Sequence, residues 1–70
     1  MRDNLDLAAS AQQLADAAPT GSIDRAAASS VAITLATTRD ITHARQTLGG
    51  LSPVEVRQAA LTLFDRLSAG

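Results

Sequence analysis

The residues best equipped for chemistry are few, and they are scattered. His43 stands three positions after Asp40, a spacing that puts two side chains on one face of a helix. An imidazole beside a carboxylate is the start of an acid–base dyad or of a metal site. A zinc site needs two or three further ligands, yet His43 is the only histidine and there is no cysteine. The pair therefore reads as part of a solvated polar face, and no metal ion is expected. Serine and threonine number thirteen, but a nucleophilic hydroxyl needs a positioned base and an oxyanion hole. None of them lies in a nucleophile-elbow sequence. Ser22 and Ser52 are placed to cap helices, and Ser29, Ser30, Thr34 and Thr37 read as small residues at a helix crossing. Gly49 and Gly50 lack the lysine and the glycine spacing of a phosphate loop. They read as a helix stop, because glycine adopts the left-handed conformation that a C-terminal cap wants. The expectation is a protein that is not an enzyme, with no catalytic residue, no cofactor and no small-molecule substrate.

Arginines offer a second kind of chemistry. The segment 44–61 reads as helix, glycine turn, helix, with Arg45, Arg57 and Gln58 as candidate nucleic-acid contacts. That makes a dimeric DNA-binding regulator of the helix-turn-helix type an alternative function. Three features disfavour it. The alanine-to-glycine interval is one residue too long, the second helix opens on Pro53, Val54 and Glu55 rather than on base-reading side chains, and the net charge is −1. Asp40, Glu55 and Asp65 also interleave with Arg39, Arg45, Arg57 and Arg66, the pattern of an ordinary solvated surface.

The elements that must position these residues are helices. Two punctuation marks divide the chain, Pro19-Thr20-Gly21-Ser22 and Gly49-Gly50-Leu51-Ser52-Pro53. The first helix is expected at about 4–18, with Asp3 as its N-cap and Leu7, Ala8, Ala11, Leu14, Ala15 and Ala18 in one arc. It reads as ordinarily amphipathic, with no apolar surplus. The second spans 23–48, because Ile23, Ala27, Ser30, Ile33, Thr34, Thr37, Ile41, Ala44 and Leu48 hold one phase. A break near positions 38–40 is allowed, since Thr38 or Asp40 can cap a new helix. The third runs 53–68, from a capping box Ser52-Pro53-Val54-Glu55 with Pro53 as its first helical residue. The whole chain, 1–70, reads as one all-α domain, a three-helix up-down-up bundle with a long central helix.

Composition sharpens that picture. Fifteen alanines make a third of the apolar share and more, while Phe64 is the one aromatic side chain. Arginine without lysine suggests a genome rich in G and C. No cysteine means no disulfide staple, and a chain of seventy residues has barely enough core to stand alone. No apolar run approaches the roughly 18–20 residues of a membrane span, and the first residues lack a signal-peptide layout, so the expected compartment is the cytoplasm. The central helix would outreach its neighbours at about 1.5 Å per residue. Its uncovered stripe, with the Val54 and Leu61 side of the last helix, predicts a homodimer assembled into a larger helical bundle. The leading function is a small protein–protein interaction module, a regulator or adaptor. Its candidate interface residues are Ile33, Thr37, Ile41, Val54, Leu61, Phe64 and Leu67. Phe64 is either the anchor of that surface or a filler of the core.

Overall fold

A computed structural model describes residues 4–38 and 40–69. The described residues form four helices and no strand: α1 (Asn4–Ala17), α2 (Ile23–Thr37), α3 (Ile41–Leu48) and α4 (Val54–Ala69). The all-α expectation holds, but the long central helix does not. It is two helices, divided at the positions where a break was allowed. Thr38 leaves the helical region with an extended backbone, and Asp40 caps α3, its carboxylate accepting the His43 backbone N–H at 2.7 Å. The threonines just upstream assist the break. The Thr37 and Thr38 hydroxyls donate to the carbonyls of Ile33 and Thr34, at 2.9 and 2.7 Å, so the end of α2 is satisfied by its own side chains.

The break resets the helical phase, which corrects a second expectation. The buried face of α2 is Ala27, Ala28, Val31, Ala32, Thr34 and Leu35. Of the stripe read as one phase across 23–48, Ala27, Thr34, Ala44 and Leu48 are buried, whereas Ile23 is 50% exposed and Ile33, one of the residues expected to stay uncovered, is 64% exposed. Alanine takes much of the interior because it lets backbones approach closely, and Ile33 points to the solvent side.

Helices α1 and α2 form an antiparallel hairpin tied at both ends. At the open end the Asn4 side-chain amide donates to the Thr38 carbonyl at 3.2 Å. At the turn the Arg25 guanidinium donates to the Ala18 carbonyl at 3.3 Å, supplying the orphaned end of α1 with a donor. The turn itself places Gly21 at φ +83°, a conformation L side chains rarely adopt. Ser22 then caps α2 through the Arg25 N–H, as its sequence position predicts. The expected Asp3 cap of α1 lies outside the described residues.

Helix α2 is the hub, packing on all three others, whereas α1 and α4 touch only sparsely. Leu7, Val31, Leu35, Leu48 and Phe64 are the largest side chains fully enclosed, packed with Ala8, Ala11, Ala27, Ala44 and Ala60. The start of α4 differs from the capping box read in the sequence. Ser52 makes no capping bond, and the first helical bond runs from the Arg57 N–H to the Pro53 carbonyl, which puts Pro53 at the cap and Val54 first in the helix.

Candidate interaction groove

The sparse contact between α1 and α4 leaves a groove, with a volume of about 860 Å³. One wall is the corner where α1 turns into α2, built from Leu14, Ala17, Ala18, Ile23 and Ala28. The other is α4, contributing Ala59, Leu63 and Leu67, with Glu55, Gln58, Thr62 and Arg66 along its outer edge. Leu14 is 44% exposed and Ile23 50%. Helix α1 thus does carry part of the apolar surplus, and so does Leu5 at its start, which is 68% exposed. The sequence expectation that α1 carries no apolar surplus does not hold. Leu14 shares its arc with Leu7 and Ala11, but those two are enclosed in the core and Leu14 faces the groove.

The residues named in the sequence as interface candidates separate into three environments. Phe64 is buried in the core at 2% exposure. Ile41, Leu61 and Leu67 are half-buried and packed against the same core, Leu67 also lining the groove. Ile33, Thr37 and Val54 are exposed and are not part of the groove lining. Of the central stripe expected to stay uncovered, Thr34 and Ala44 are buried. The groove residues Leu14, Ile23, Ala59 and Leu63 are not among those candidates. Nothing in a linear pattern marks them, because each belongs to an ordinary amphipathic arc, and only the three-helix arrangement brings them together.

The chemical candidates fall as follows. Asp40 and His43 do pair, but through the His43 backbone N–H, so the carboxylate acts as a helix cap. Among the described residues no three metal-ligating side chains come together. Gly49 ends α3, its N–H donating to the Arg45 carbonyl, but it does so with a right-handed backbone (φ −63°, ψ −14°) and not in the left-handed conformation expected of a glycine cap. Arg45 forms an ion pair with Asp65, joining α3 to α4 across two half-exposed side chains. Arg57 is half-buried, and Gln58 sits exposed on the groove edge. No helix among the described residues is long and apolar enough to cross a membrane. No family model, curated protein or solved structure matches this chain.

Proposed function

We propose that the protein is a small non-enzymatic interaction module, a regulator or adaptor, whose working surface is the α1–α2–α4 groove. The observation that supports this reading is the exposure of Leu14 and Ile23 along a concave surface whose opposite wall is Ala59 and Leu63. Isolated exposed apolar residues are common on any protein, whereas apolar residues gathered in a concavity and rimmed by charge mark an interaction surface. Small residues on the walls admit a helix closely, the mode in which an amphipathic helix fills a groove. The expected compartment is the cytoplasm.

A photo-reactive residue placed at Leu14 or Ile23 tests the reading in cells, with Gln46 on α3 as the control position. The expected result is a protein adduct from both groove positions and none from Gln46. Equal labelling from all three, or no protein adduct from the groove, overturns it. The DNA-binding alternative has the less favourable geometry, because the Arg45 charge is already engaged by Asp65. Retardation of duplex DNA by the purified protein, falling steeply with salt, would replace the interaction reading with that alternative.

A further inference from the structure

We infer that the groove is filled by α4 of a second copy of this chain, lying antiparallel to the first across a two-fold axis. The inference rests on the groove being a protein-docking surface and names its occupant.

The groove edge of α4 carries a charge at each end. Glu55, Ala59, Thr62 and Arg66 fall on one narrow stripe. Eleven residues separate the two charges, and at about 100° per residue that brings them to within about 20° of the same direction. Both ends of the stripe are exposed, and neither Glu55 nor Arg66 makes an ion pair with any described residue. The sole ion pair among the described residues is Arg45 with Asp65. One helix therefore carries an unpaired acid at one end of its exposed stripe and an unpaired base at the other, about 16 Å apart.

A stripe of that kind is its own complement when reversed. Glu55 and Arg66 are centred on the step between Ala60 and Leu61, and so are Ala59 with Thr62 and Gln58 with Leu63. Two copies of α4 related by a two-fold axis through that step set Glu55 of each against Arg66 of the other. Ala59 then faces Thr62, and these modest side chains at the centre leave room for the helices to close. A symmetric interface repeats each contact twice, so the pairing yields two ion pairs. The second α4 also lies between the first and the α1–α2 corner, where Leu14 and Ile23 cover its flank. A foreign helix would have to supply this spacing of charges by coincidence, whereas the chain supplies it from itself.

Area sets the strength. A helix of sixteen residues is about 24 Å long and about 10 Å across, so each copy covers a few hundred Å². Stable interfaces cover roughly 800 Å² per partner. The dimer therefore belongs to the weak, exchanging class, with dissociation in the micromolar range or above.

Charge reversal tests the pairing, with sedimentation equilibrium from about 5 μM to about 1 mM as the readout and circular dichroism as the check on folding. Wild type is expected to move from monomer to dimer across that range. Either E55R or R66E alone sets two like-charge contacts in the dimer and should weaken it at least about tenfold. Combining both substitutions in one chain restores two opposite pairs and should return association to within about threefold of wild type. An equimolar mixture of the two single variants should form a heterodimer as tight as wild type, since each supplies the charges the other needs. Photo-crosslinking from Leu14 to a second copy would place the same partner in the groove. A wild type that stays monomeric at the top of the range overturns the inference. So does a dimer indifferent to the reversals, or single variants that fail to rescue each other. If those results occur while Leu14 and Ile23 still crosslink a different protein in cells, the docking surface stands and the self-partner falls. If the groove crosslinks nothing, the docking surface itself falls.

Discussion

The two sides of α2 are finished differently. On one, α3 and the middle of α4 enclose Leu35, Leu48 and Phe64 until no more than 2% of any of them is exposed. On the other, the α1–α2 corner and α4 diverge, and Leu14 and Ile23 remain half open to solvent. Both sides are rich in alanine and leucine, and Phe64 belongs to the first. What differs is the presence of a covering helix. The eight residues of α3 close the first side, and the described residues provide no counterpart for the second. A small alanine-rich bundle can thus complete one core and leave an unfinished one beside it.

The contrast can be broken most severely at Phe64. Replacing it with alanine should cost about 3–5 kcal/mol, from lost transfer energy and the cavity left behind. A chain of this size holds roughly 4–10 kcal/mol in total, so F64A should unfold at much lower urea or fail to fold, as read by circular dichroism. Leu48→Ala follows at about 2–5 kcal/mol, and because Leu48 is the last residue of α3 it tests whether α3 really closes that side. Asp40→Ala comes next, removing the cap of α3 at a cost of about 1 kcal/mol in the same urea titration. Its loss should raise amide exchange in α3 before that of the α1–α2 hairpin. The gentlest and most discriminating change is Leu14→Gln against Ile33→Gln. Both residues are substantially exposed, so each should alter monomer stability by no more than about 0.5 kcal/mol. Only the groove variant should weaken self-association in sedimentation, and equal effects from the two would erase the distinction between groove and surface.

Much of this architecture was legible in the residues. Gly21 and Ser22 marked a turn and a cap, Gly49 a stop, and Asp40 a cap for α3 in case the central helix divided. The phase of α2 was not legible, for a physical reason. The extended backbones of Thr38 and Asp40 break the helix between α2 and α3, so a single stripe fitted through Ile33, Thr37, Ile41 and Leu48 ran across two separate helices. Hydrophobic weight misled in the same place. Ile23 and Ile33 outrank alanine on any transfer scale, yet Ala27, Ala28 and Ala32 are buried beside Val31, Thr34 and Leu35 while both isoleucines are exposed. The groove was beyond a linear reading altogether. Its walls come from three helices, and its charged edge becomes informative only once that face of α4 is known to be open.

The alanine seam between α1 and α2 has a thermal consequence. Ala8, Ala11, Ala15, Ala27, Ala28 and Ala32 fill space with very little hydrocarbon each. Unfolding them wets less apolar surface per residue than opening a leucine-rich core would. The heat-capacity increment of unfolding should therefore fall below the usual ~12–15 cal/mol/K per residue. The curve of stability against temperature should be correspondingly flat. Calorimetry should record a low, broad melting endotherm, with protection from cold extending further below room temperature than a chain of this length ordinarily achieves.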